Sequence, residues 1–181
     1  MLIYLSYPVM NVVSEPAYVP LLASTFSDHI FYRPFLPLLN QQESLEAMDQ
    51  VQSNVANKKK INDRLEKLKS FYLLGNLWLD LVYKSDHITY SSLVSAYDDN
   101  SHISLNLVQK NALFLLCSDL VVADCNSTDF GERSFDIFLA NLLEIPVMGT
   151  SERFLNSPWL HLATTAMVKS SELTTVLKLH L

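Results

Sequence analysis

Apolar and polar positions along this chain alternate with two periods, and the switch between them marks out its elements. Leu2 to Leu5 is a short apolar run that predicts a strand, followed by Ser6, Tyr7 and Pro8 as a loop. Ser14 is placed to cap a helix with Pro16 in its first turn and Tyr18, Leu21, Leu22 and Phe26 as its apolar stripe. Pro20 falls inside that helix and leaves a shorter version, Pro20 to Ser27, open. His29 to Phe35 reads as a second strand, ended by Pro34 and Pro37.

From Gln41 to about Lys84 the period is helical. Leu45, Met48, Gln52 and Val55 share one face of a polar piece, and Leu65, Leu68, Phe71, Tyr72, Leu74, Trp78, Leu81 and Val82 form a wide apolar face after it. Residues 85–101 are rich in Ser and Asp and predict an irregular connection or a short helix. His102 to Cys117 reads as the helix leading into the most informative stretch, Ser118 to Met148.

That stretch holds a strand, a polar turn, a helix and a second strand without interruption. Leu120 to Ala123 is the strand and Asp124 to Gly131 the turn. Phe135, Phe138, Leu139 and Leu142 give the apolar face of the helix, and Ile145 to Met148 the next strand. A last strand is predicted at Ala163 to Val168, and Ser170 or Ser171 caps a closing helix carrying Leu173, Val176 and Leu177. Five strands alternating with helices imply a parallel sheet with helices on both faces. In such a sheet ligands bind beyond the carboxyl ends of the strands, and Asp119, Asp124, Asp129, Glu132 and Asp136 are expected to crowd there.

Length adds that 181 residues make about one domain, with roughly two thirds of the unfolded surface buried. A net charge of -6 argues against a nucleic acid polymer as partner, and the basic run Lys58 to Lys60 reads as a solvated helix face. Cys117 and Cys125 lack C-x-x-C spacing and read as reduced core thiols of an intracellular protein. The five histidines are scattered without ligand spacing, so no metal site is expected. Residues 1–14 are uncharged but lack a basic start and are broken by Pro8, so a buried strand is the reading rather than a secretory segment. No stretch approaches about 20 apolar residues, which leaves no membrane span and a cytoplasmic protein as the expectation. The chain has only three glycines, and neither G-x-G-x-x-G nor G-x-x-x-x-G-K-[ST] occurs.

Taken together, the strand Ile3-Tyr4-Leu5-Ser6, the run Ser118 to Asp124, the turn ending Asp129-Phe130-Gly131 and the helix Asp136-Ile-Phe-Leu-Ala-Asn-Leu-Leu-Glu-Ile-Pro-Val resemble the nucleoside 2-deoxyribosyltransferase superfamily. That group includes the related nucleotide N-glycoside hydrolases. The resemblance covers residues 1–35 and 103–181 in outline, with residues 40–102 as a helical insertion. It implies a flavodoxin-like, Rossmann-like three-layer α/β sandwich with five parallel strands in the order 2-1-3-4-5, folded as a single α/β domain. It also implies a carboxylate nucleophile at the position of Asp136, which attacks the anomeric carbon of a nucleoside or nucleotide. Asp119 and Tyr4 match a catalytic aspartate and a tyrosine that positions the nucleophile or sugar, and Asp129 a position that contacts the base. Ser6 and Tyr7 of the first loop, with Gly131 and Glu132 of the turn, are placed beside the substrate. No cofactor is implied, and a homo-oligomer is, with the face from Leu65 to Val82 as its contact.

Other roles stand beside these. Asp136 in a helix first turn is favoured by the helix dipole alone, Asp119 and Asp129 suit turns and caps, and Tyr4 and Tyr7 suit packing in and beside a strand. Glu132 is a rival nucleophile should the helix begin a turn earlier. The turn Gly131-Glu132-Arg133-Ser134-Phe135-Asp136 is one residue longer than the family's and lacks its second glycine. That difference motivates a second reading, a catalytically silent relative that binds a nucleotide-like ligand or a protein partner.

Overall fold

A computed structural model of the chain describes residues 1–7, 16–32, 55–70, 111, 114–126 and 131–181, without the side chains of 55–58, 65, 68–70 and 131–133. The chain divides into two compact units, one of Met1–Leu38 with Ser118–Leu181 and one of Leu39–Cys117. The first unit carries the sheet, with β1 (Leu2–Ser6), β2 (Ile30–Tyr32), β3 (Leu120–Asp124), β4 (Val147–Thr150) and β5 (Ala166–Val168). All four pairings are parallel and the order is β2-β1-β3-β4-β5. The fold is therefore the α/β three-layer arrangement with the strand order 2-1-3-4-5.

Alternation within the central strands sorts the two faces. Ile3 and Leu5 of β1, Leu120 and Val122 of β3, Met148 of β4 and Val168 of β5 face one way, into a core completed by Tyr18, Val19 and Leu22 of α1 (Tyr18–Thr25). Leu173 and Leu177 of a C-terminal helix, Leu173–His180, belong to the same core. The alternate positions Leu2, Tyr4 and Ser6 of β1, with Val121 and Ala123 of β3, are also fully buried or nearly so and turn to the opposite face. The helix Gly131–Leu142 packs on β3 and β4, and the short helix Pro158–Ala163 packs on it and on β5. Strands buried on both faces explain why each reads as a plain apolar run.

In chain order the described helices are α1, α2 (Val55–Ser70), α3 (Gly131–Leu142), α4 (Pro158–Ala163) and α5 (Leu173–His180). Several differ in detail from the pattern in the sequence. Pro20 is the third residue of α1, within the first turn, where its missing N–H has no intrahelical partner to lose; the helix runs from Tyr18 to Thr25, so Pro16 precedes it rather than opening it, and Ser14 lies outside the described residues. Leu21, expected on the apolar stripe of α1, is exposed, and Val19 is buried instead. β5 begins at Ala166 rather than Ala163, because Ala163 closes α4 and Thr164 Oγ1 donates to the Leu160 carbonyl at 2.6 Å. α5 follows Glu172 rather than a serine cap, and Ser170 instead bonds Thr150 through their hydroxyls at 3.0 Å.

The largest difference is in α3. Phe138, placed by the sequence pattern on the apolar face, is exposed, while Asp136, Ile137, Leu139, Ala140 and Leu143 are buried. At about 100° per residue, the buried face is turned by roughly a third of a turn from the one marked by Phe135, Phe138, Leu139 and Leu142. The rotation carries Asp136 inward.

α3 ends in a left-handed turn. Ile145 N–H donates to the Ala140 carbonyl at 2.8 Å and Glu144 N–H to the Asn141 carbonyl at 3.0 Å, with Glu144 at φ 56°. Glutamate tolerates that conformation poorly, so Glu144→Gly is expected to raise stability by up to about 1 kcal/mol, read as a higher urea midpoint with an unchanged slope. Gly149 of β4 faces its register partner Met167 on β5, and a Cβ there would meet the Met167 Sδ. The thioether fills the space that the glycine leaves.

In the second unit, α2 buries Ile61 and Arg64, one turn apart on one face. The Arg64 Nη1 donates to the Leu116 carbonyl at 2.6 Å, which satisfies a backbone acceptor in the buried run Phe114 to Cys117. The basic run supports a solvated face at Lys59, which is exposed. Leu65 and Leu68 lie in this helix, and the remainder of the wide apolar face, through Val82, lies outside the described residues.

Candidate functional site

Parallel strands give the sheet of the first unit two chemically different edges. The carboxyl edge carries Ser6, Asp124, Thr150 and Val168 at the strand ends, and the loops after β3, β4 and β5 begin there. Tyr4 and Ser6 lie two residues apart on β1, so their side chains leave the same face of the sheet, the face covered by α3. Asp136 is the sixth residue of α3, in its second turn rather than its first.

These three side chains converge. The Ser6 Oγ donates to Asp136 Oδ2 at 2.7 Å, and the Tyr4 hydroxyl donates to the same oxygen at 3.2 Å. Tyr4 and Ser6 are fully buried, while Asp136 is 9 % exposed and is the one of the three with any surface left open. A carboxylate taken out of water loses its hydration, and two hydroxyl donors replace part of it. The Tyr4 ring is held in turn by Tyr32, its register partner on β2, with ring centroids 5.3 Å apart. The arrangement is a carboxylate oriented by fixed donors at the ligand-binding edge of an α/β sheet.

Asp119 belongs to the other edge. It precedes β3, accepts the Leu2 N–H on Oδ2 at 3.0 Å, and donates its own N–H to the Leu2 carbonyl at 2.8 Å. Four residues of extended strand, roughly 13 Å, separate that end of β1 from Ser6. The structure therefore does not bring Asp119 to Asp136, and its position is that of a clasp between the starts of β1 and β3. Asp119→Ala is expected to lower stability by about 1 kcal/mol through the lost acceptor. Any turnover per folded molecule should be unchanged, which a side-by-side unfolding and activity measurement checks.

The remaining expected site residues divide as follows. Tyr7 is 2 % exposed and packs in the core on the opposite face with Tyr18 and Leu22, because one further residue along the strand direction reverses the side chain. It is not brought to Asp136. Ser6 is engaged with the carboxylate itself rather than held open beside it. Gly131 opens α3 and Glu132 follows in its first turn, four residues before Asp136, so the helix does begin a turn earlier than the acidic position implied. The side chain of Glu132 lies outside the described residues, and so does Asp129.

A second polar group joins the loops of the carboxyl edge. Asp124 Oδ1 accepts the backbone and side-chain N–H groups of Asn126 at 2.9 and 3.0 Å, an Asx turn at the end of β3. Asn126 Oδ1 accepts the Glu152 N–H at 2.6 Å, and Glu152 Oε1 accepts the Ser170 N–H at 2.9 Å. Buried Ser151 donates to the Cys125 carbonyl at 3.3 Å and accepts from the Arg153 and Phe154 amides at 3.2 and 3.0 Å. These bonds tie the loops after β3, β4 and β5 to one another at the carboxyl edge. Of these residues only Asp124 was expected at this edge from the sequence; Asn126, Ser151, Glu152 and Ser170 were not, nor was the pairing of Ser6 with Asp136. The available signals were a polar cluster after each strand and the spacing of Tyr4 and Ser6 by two.

Fold and site together define a class: a parallel α/β protein whose carboxyl edge holds a buried aspartate between a tyrosine and a serine hydroxyl. No protein family, curated protein or solved structure compared with the chain matches it. Among the described residues no helix is long and apolar enough to cross a membrane. Both cysteines are free and buried.

Proposed function

We propose that this protein cleaves or transfers the N-glycosidic bond of a nucleoside-like compound, with Asp136 as the nucleophile. The observation that carries the reading is the Asp136 carboxylate held by Tyr4 and Ser6 at the carboxyl edge of the sheet. In the first step the carboxylate attacks the anomeric carbon. The bond from that carbon to the base nitrogen breaks, its electron pair leaves with the base, and a glycosyl ester of Asp136 remains. Water, or the nitrogen of a second base, then attacks the same carbon and frees the carboxylate. Tyr4 and Ser6 keep the side chain in one rotamer through both steps, which lowers the entropy lost on reaching the transition state. Where the resemblance sets Asp129 against the base, its negative charge would favour an uncharged nucleoside over a nucleotide phosphate. A cytoplasmic location and a homo-oligomeric assembly belong to the same proposal.

A second reading rests on the same carboxylate. Both hydroxyls are directed at Asp136 Oδ2, and the helix begins at Gly131, so the acid sits a turn deeper than a helix start. That geometry suits a relative that binds a nucleotide-like ligand without chemistry. Base release from a panel of nucleosides and nucleotides, followed by chromatography beside calorimetry of the same panel, separates the readings. Release at a steady rate supports the enzyme, binding without release supports a silent relative that holds a nucleotide-like ligand, and neither response leaves only a silent relative that binds a protein partner.

A further inference from the structure

We propose that the amino edge of the sheet carries a binding site of its own, for a compact ring compound with one cationic group. A cavity of about 130 Å³ lies there, where β3, β4 and β5 begin and α5 ends. Every residue of its wall belongs to the first compact unit, which therefore forms it without the second.

Side-chain alternation explains the space. Ala166 of β5 is the register partner of Met148, and Met148 and Leu120 leave the face of the sheet that Leu173 and Leu177 of α5 cover. On the opposite face Met167 reaches over Gly149 and fills its gap. On this face alanine stops at Cβ and leaves a gap beneath the last turn of α5, which the Leu181 N–H closes on the Leu177 carbonyl at 2.9 Å.

Size and chemistry choose the occupant. An apolar cavity of about 150 Å³ holds a benzene ring, and Leu120, Pro146, Val147, Met148 and Ala166 give this one mostly apolar walls. The wall also contains Asp119, whose Oδ2 accepts the Leu2 N–H at 3.0 Å. A carboxylate offers about four acceptor sites on its two oxygens, so one backbone bond does not exhaust it. Thr165 Oγ1 is committed to the Val147 N–H at 3.2 Å, and His180 is exposed at the margin. An apolar pocket with one carboxylate, in a chain of net charge -6, selects a ring that carries a protonated amine over its neutral and anionic counterparts. The site lies at the end of the sheet opposite Asp136 and stands whether or not Asp136 performs chemistry.

Titration of the full chain with benzylamine, benzyl alcohol and benzoate, followed by backbone amide NMR shifts, tests the proposal. Benzylamine should saturate in the millimolar range, with shifts centred on Leu120, Met148 and Ala166. It should bind at least about tenfold tighter than benzyl alcohol, and benzoate should bind least. Asp119→Asn keeps an acceptor for the Leu2 N–H and should bring benzylamine down to the benzyl alcohol level. Ala166→Leu fills the cavity from its own face and should abolish the binding of both, with the thermal midpoints of the two variants showing that they fold. A wild type without saturable shifts at the amino edge overturns the site, and so does benzylamine binding that survives Ala166→Leu. Benzoate binding as tight as that of benzylamine, or a preference that persists in Asp119→Asn, overturns the choice of a cation.

Discussion

Replacing Asp136 with asparagine is expected to lower base release by at least about a thousandfold in kcat/KM, while the thermal unfolding midpoint stays close to that of the wild type. Asparagine has nearly the same shape, and its carbonyl oxygen can still accept from the Ser6 and Tyr4 hydroxyls, which now contact Oδ2 at 2.7 and 3.2 Å. What it lacks is the negative charge that forms the glycosyl ester. Asp136→Ala separates the two roles from the other side. It removes the acceptor as well, leaves the buried Ser6 hydroxyl without its carboxylate, and is expected to cost about 1 to 3 kcal/mol in urea unfolding. An Asp136→Asn protein that turns over at the wild-type rate would end the nucleophile assignment. A marked fall in its midpoint would show instead that the charge is structural.

Tyr4→Ala is expected to cause the largest loss of stability of any change at the site, about 3 to 5 kcal/mol. The side chain is fully buried on β1, between β2 and β3, and stacks on Tyr32 at 5.3 Å, so its removal leaves a cavity that two neighbouring strands and α3 cannot close. Tyr4→Phe keeps the ring and removes only the 3.2 Å hydrogen bond, so it should cost about 1 kcal/mol. If Tyr4 positions the Asp136 carboxylate, the phenylalanine variant should lower kcat with little change in KM. Equal effects of the two substitutions on stability would mean that the hydrogen bond, rather than the packing, dominates.

Much of the fold was legible before any coordinates. β1 and β3 were marked by uninterrupted apolar runs, and β4 was marked within two residues of its bounds, because strands covered on both faces leave no polar positions to obscure them. The short helix α4 was missed, since Pro158 to Ala163 holds fewer than two turns and offers too little length for a period to register. Asp136 was found, but for a resemblance and at a helix start it does not occupy. Ser6 was named for a substrate and proves to hold the carboxylate. Asp119 was grouped with Asp136 through the resemblance, although chain direction in a parallel sheet already sets a residue that precedes β3 at the edge opposite the one its following loop opens on.

By itself the sequence determined which segments are buried strands, that they alternate with helices, and hence that the sheet is parallel with a ligand-binding edge at its carboxyl ends. Those properties follow from hydrophobic period and from the length of the crossovers, both of which are local. The tertiary structure alone decided which face of α3 turns inward. Apolar side chains lie on more than one side of that helix, and the inward face was set by packing against β3 and β4, which buried Asp136 and left Phe138 outside. It also decided that Ser6 joins Tyr4 on a carboxylate 130 positions away, a contact that the resemblance implied for Tyr4 and not for Ser6. A contact of that range is fixed by strand order and register, and neither is written in the spacing of any one segment.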